Sequence, residues 1–123
     1  MLAIGGSMLG ATLASIAGLR IMLVVACLSA SASQLCLLTG HLHIGTALLG
    51  FGFGLGAAPL NAYPSRLFPG SPSAALVALH AVMGLGLSLG PIFVGGLIAR
   101  DAWSTYPSFT LALGVVAALA AAR

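Results

Sequence analysis

His80, Asn61, Tyr63 and Gln34 are the side chains best placed for directed polar contacts, because each falls inside or at the end of a long apolar run. An imidazole in such a place can bond a solute hydroxyl, change charge near neutral pH, or satisfy itself on a neighbouring carbonyl. Asn61 and Tyr63 can bind a solute or cap a helix end. Gln34 fits an interhelical hydrogen bond as well as a solute contact. The other reactive residue types lead nowhere. His41 and His43 stand in a loop, with no carboxylate or thiol beside them to complete a metal site. Cys27 and Cys36 are separated by about 13 Å of rise if they share one helix, too far for a disulfide. The single acid, Asp101, cannot supply paired carboxylates, and no serine has a base with an acidic orienter. No enzyme and no cofactor are expected from this set.

The elements that must hold these residues are apolar almost throughout. Of 123 residues, 4% are charged and 60% are hydrophobic, where a soluble domain would be about a quarter charged. Such a surface requires a lipid bilayer as its medium. A spanning helix takes about 20 apolar residues, so roughly five spans nearly exhaust the chain. The expectation is an all-α, multispan transmembrane helical bundle of about five helices, forming a single transmembrane domain over 1–123. The spans are placed at about 2–17, 21–39, 44–63, 74–98 and from after Trp103 to Ala122. The opening residues lack a positive leader segment and run into a Gly6 to Gly10 packing stretch.

Every connection is short, so neighbouring spans should be antiparallel. Alternation then gathers Arg20, Arg66 and Arg123 on one side and leaves Arg100, beside Asp101, on the other. Arginine-bearing short loops stay cytoplasmic, which predicts an outside N-terminus and a cytoplasmic C-terminus. Trp103 and Tyr106 then suit the outer interfacial belt. The net charge of +3 comes from arginines scattered singly, not from a basic patch, so no nucleic-acid partner is expected.

Two glycine clusters stand out. Gly50, Gly52, Gly54 and Gly56 form the overlapping pairs Gly50/Gly54 and Gly52/Gly56. Residues four apart share a helix face, and without side chains there another backbone can approach closely. The second cluster is Gly84-Leu-Gly86-Leu-Ser-Leu-Gly90-Pro91-Ile-Phe-Val-Gly95-Gly96. Pro91 cannot donate to the carbonyl of Leu87, so a kink is expected there. The glycines around it would let a bent helix pack tightly and flex.

Gly86-x-x-x-Gly90-Pro91 followed by Gly95-Gly96 resembles the Gly-Pro motif in the fifth helix of major facilitator superfamily transporters. Three residues separate Pro91 from the paired glycines here, where the family has two. Leu13-Ala-Ser-Ile-Ala-Gly18-Leu-Arg20 resembles the loop after that family's second helix. Gly18 and Arg20 match; Ser15 replaces the motif's aspartate, and Ile16 and Leu19 its first two arginines. Leu60-Asn61-Ala-Tyr63, Leu67-Phe68-Pro69 and Leu79-His80-Ala81 are similar to the sugar-transporting fucose permease branch. The resemblance covers essentially the whole chain as helices two to six of twelve. The second half of such transporters repeats the first, which leaves helices eight to twelve as the alternative.

The resemblance implies a fragment of a secondary transporter of a small solute, such as a sugar, working by alternating access in a bacterial inner membrane. The missing helices of the same transporter would be its partners. His80, Asn61, Tyr63 and Gln34 would contact solute. Gly86, Gly90, Pro91, Gly95, Gly96, Gly50 and Gly54 would shape gating and packing faces, and Gly18, Arg20 and Arg66 the cytoplasmic loops. No carboxylate lies inside any span, so proton coupling is not implied. The competing reading is a non-transporting membrane subunit or scaffold held together by small residues.

Overall fold

The computed structural model describes the backbone of residues 2–123 and the side chains of residues 8–10, 12, 13 and 15–123. It is an all-α bundle of five helices: α1 (Leu2–Ala17), α2 (Leu19–Leu38), α3 (Leu42–Leu67), α4 (Pro72–Ile98) and α5 (Thr105–Ala122). Four of them, α2 to α5, are long and apolar enough to cross a membrane. The 16 residues of α1 rise only about 24 Å, short of a hydrocarbon core of about 30 Å. The chain is an integral, multi-pass membrane protein.

Glycine makes the tight turns. Gly18 (φ 85°) and Gly40 (φ 81°) adopt the left-handed conformation that other residues resist, so α1 passes to α2, and α2 to α3, within a few residues. Several helices start about two residues earlier than expected, α2 at Leu19 and α3 at Leu42, and two further boundaries move at prolines. α3 does not stop at Tyr63 but runs to Leu67, and α4 starts at Pro72 rather than 74. Pro64 lies in the last turn of α3, where its carbonyl still accepts from the Phe68 amide (2.9 Å). Pro72 opens α4, at a position whose N–H would have no helical partner. Pro59 and Pro91 also lie within unbroken helices.

The interior is the reverse of a soluble protein's. Ser31, Ser33 and Gln34 are buried, while Leu28, Leu35, Ile21, Leu85 and Ile92 are exposed. In lipid an apolar exterior costs nothing, and helices associate through close packing and polar bonds. The buried positions accordingly favour small residues. Gly45, Gly52 and Gly56 lie against α2: a methyl on Gly52 would stand 3.0 Å from Ser29 Cβ and 3.1 Å from the Ala26 oxygen. Ser29 Oγ donates across this seam to the Leu48 carbonyl at 2.9 Å, and Met22, Ala26 and Leu55 form an apolar cluster beside it.

The α3 glycine pairs therefore split between two seams. Gly52 and Gly56 face α2, whereas Gly54 lies on the α1 side. There a methyl on Gly10 would stand 3.3 Å from Leu55 Cα and 3.4 Å from the Gly54 oxygen. Gly50 is half-buried. Gly6, the other end of the predicted α1 packing stretch, has its side-chain surroundings outside the described residues. On the far side of α2, α5 packs through Gly114 and buried Ala118, and Arg20 Nε donates to the Ala121 carbonyl at 2.8 Å.

α4 stands apart. It meets α3 along a limited contact, barely touches α5, and buries no residue. Apart from the helix's own backbone and each glycine's chain neighbours, no atom of the described residues comes within 4 Å of a Cβ placed on Gly84, Gly86, Gly90, Gly95 or Gly96. The tight packing expected around Pro91 is thus not made among the described residues.

Candidate functional site: the cleft between α3 and α4

α3 and α4 are joined by a short connection and run antiparallel, which brings residues equidistant from the turn to the same depth. Asn61 is six residues before the end of α3 and His80 eight after the start of α4, or about 9 and 12 Å along their axes. Both line one cavity of about 270 Å³, walled by Phe53, Ala57, Leu60, Leu79 and Met83. Phe53, Ala57 and Asn61 recur every four residues and share a face of α3, as Leu79, His80 and Met83 do on α4.

Each polar side chain is half-satisfied by its own helix. Asn61 Nδ2 donates to the Ala57 carbonyl at 2.7 Å, leaving Oδ1 and one N–H free. His80 Nδ1 lies 2.8 Å from the Leu76 carbonyl. A carbonyl only accepts, so Nδ1 carries a proton; in the neutral ring Nε2 then presents a lone pair. The carbonyl-bonded expectation for His80 is thus met at Nδ1, and no protein atom bonds Nε2 among the described residues. Both residues are exposed on the cleft. The site can accept hydrogen bonds, and no carboxylate, lysine or arginine is among its lining residues.

Tyr63 lies in an adjoining cavity of about 390 Å³ that shares Leu60 and Leu79 with the first. Gln34 is elsewhere. It shares a stripe of α2 with Cys27 and Ser31, which face Gly114 of α5. Its amide nitrogen lies 3.3 Å from the neighbouring Ser33 hydroxyl, and its buried Oε1 has no partner. It neither lines the cleft nor bonds another helix among the described residues. His41 caps the start of α3 and bonds Thr39 Oγ1 at 3.1 Å, with His43 exposed in the next turn. Cys27 and Cys36 are free thiols.

Arg20, matched above to a loop motif, spends its guanidinium on the α5 terminus, where a cation complements the helix dipole. Arg66 is exposed in the last turn of α3, in the same relation to its own helix. Sequence reasoning did not single out Phe53 and Met83 as cavity walls; their spacing of eight from Asn61 and three from His80 was the available signal. No protein-family model, curated protein or solved structure matches the chain.

Proposed function

We propose that this chain is part of a secondary membrane transporter of the major facilitator type, moving a small solute by alternating access. The α3/α4 cleft is its share of the solute path. One observation carries the reading. Two polar side chains, His80 and Asn61, are exposed on adjacent spans, face one cavity, and in the neutral forms keep acceptors free. Polar groups at membrane depth face a bundle interior or a watered cavity, because lipid offers them no partner. Gly86, Gly90, Pro91, Gly95 and Gly96 would then contact helices outside this chain as the two bundles rock. Arg20, Arg66 and Arg123 mark the cytoplasmic side, and the membrane is a bacterial inner membrane. The glycine seams among α1, α2, α3 and α5 favour the rival reading of a non-transporting scaffold, since they serve packing alone.

Cysteine accessibility separates the two. In a Cys27→Ala/Cys36→Ala background reconstituted in bilayers, His80→Cys is expected to react readily with a membrane-impermeant methanethiosulfonate. Leu28→Cys, on the lipid-facing side of α2, should not. Equal inertness of both positions would mean that His80 faces lipid, and the transporter reading would fall. Without its opposing helices the chain is expected to give no solute uptake in proteoliposomes.

A further inference from the structure

The cleft has two compartments of different character. The cavity holding Asn61 and His80 adjoins the larger one at the Phe68 end, with Leu60 and Leu79 lining both. That second space, about 390 Å³, is walled by Pro64, Leu67, Ala78 and Val82 together with Tyr63 and Phe68. Apart from the Tyr63 hydroxyl, its side chains are apolar, and no charged residue lines either compartment. The whole is a slot with a polar end and a long apolar body.

The count of free polar atoms decides what fits. Asn61 Oδ1 and, in the neutral ring, His80 Nε2 accept, one Asn61 N–H donates, and the Tyr63 hydroxyl of the second compartment can do either; the remaining N–H groups are spent on Ala57 and Leu76. A polyhydroxylated solute would bring more hydroxyls than these atoms can satisfy, and each one left dry against the apolar wall would lose its water bonds uncompensated. A full charge would find no counter-charge. A solute with one or two donors and an apolar body leaves neither side unsatisfied, which is the usual make-up of small-molecule sites.

We infer that the cleft takes an uncharged amphiphile whose O–H or N–H donors bond Asn61 Oδ1 and His80 Nε2 and whose apolar body lies along Leu60 and Leu79 into the Tyr63–Phe68 compartment. This rests on the cleft being a solute path, as proposed above, and replaces the sugar implied by the family resemblance. The amphiphile is recognised by donor count and apolar contact, and its binding does not depend on an acid.

The test uses the full chain in phosphatidylcholine nanodiscs with 4-hydroxybenzophenone as a photoreactive probe, adducts being mapped by mass spectrometry. Saturable labelling is expected at Met83 and along the slot, displaced by thymol and untouched by a large excess of glucose. The methoxy analogue, which lacks the donor, and the shape-conserving variants Asn61→Leu and His80→Phe should each weaken half-saturation about fivefold. If one variant does not fold, the other and the methoxy analogue carry the comparison. Displacement by glucose and not by thymol would overturn the amphiphile, leaving the solute path standing. Adducts spread over lipid-facing positions such as Leu28, without saturation, would also overturn it. Labelling of His80→Cys by the impermeant thiol reagent then tells whether the path itself has failed.

Discussion

Replacing Gly114 of α5 by alanine puts the α2/α5 register to a quantitative test. A methyl at that position would stand 2.5 Å from Ser31 Oγ and 3.6 Å from both Ser31 Cβ and the Cys27 oxygen. The longer contacts are ordinary, so the hydroxyl alone is in the way. Ser31 is buried, and its Oγ donates to the Cys27 carbonyl at 2.9 Å. Turning it aside gives up that bond, about 1 kcal/mol, and crowds a packed seam at about 1–3 kcal/mol. Alanine's better helix propensity returns about 1 kcal/mol. Gly114→Ala should therefore destabilise the chain by about 1–3 kcal/mol in SDS titration from mild detergent, followed by far-ultraviolet circular dichroism. Ser31→Ala removes the obstructing atom, so in the double variant the methyls meet at ordinary distance. Its stability should exceed that of Ser31→Ala alone by about 1 kcal/mol, the propensity gain, giving a coupling of about 2–4 kcal/mol. A Gly114→Ala chain as stable as the parent, or a double variant no better than Gly114→Ala, would show that α5 does not sit on α2 in this register.

Gly52→Ala has no such escape, because its methyl meets Ser29 Cβ and the Ala26 backbone; it should lose about 1–3 kcal/mol in the same titration. Gly86→Ala, with open space around it, should gain up to about 1 kcal/mol. Arg20→Ala frees the Ala121 carbonyl and should cost under about 1 kcal/mol, read as faster amide exchange in the last turn of α5. In the cysteine-free background, Ser65→Cys should label with impermeant thiol reagents only from the cytoplasmic face and Ser104→Cys only from the outer face; the opposite pattern would invert the proposed orientation.

The helices were legible because hydropathy and length suffice to find a span: all five appear where apolar runs were read. The prolines were less so. Pro64 and Pro72 look like breakers in the sequence, yet one closes the last turn of α3 and the other opens α4, and that difference depends on where each falls relative to the helix end. The shared depth of Asn61 and His80 follows from counting back from the α3/α4 turn. Their facing one cavity does not, because these helices are apolar all round. Amphipathicity marks the buried side of a helix in water, whereas lipid and protein interior are equally apolar and leave no such mark. The same lack of contrast hid Gln34's placement away from the cleft, and the division of the α3 glycines between two seams.

Exposure of leucines on α4 is uninformative in lipid, but exposure of glycines is not. Gly45, Gly52 and Gly114 each have a neighbour inside the space a methyl would fill, so their poor helix propensity is offset by approach. Gly84, Gly86, Gly90, Gly95 and Gly96 have the same cost, about 1 kcal/mol each on aqueous scales, and no neighbour. On the same helix Pro91 removes a backbone donor, and His80 holds an acceptor open. A span carrying so many locally unfavourable choices, whose glycines meet no neighbouring helix among the described residues, is consistent with other helices approaching α4 from outside this chain. That is the arrangement the transporter proposal requires. A scaffold would need the glycines but gains nothing from a free imidazole nitrogen beside them. The two readings thus part at His80, on whether its open face meets water or lipid.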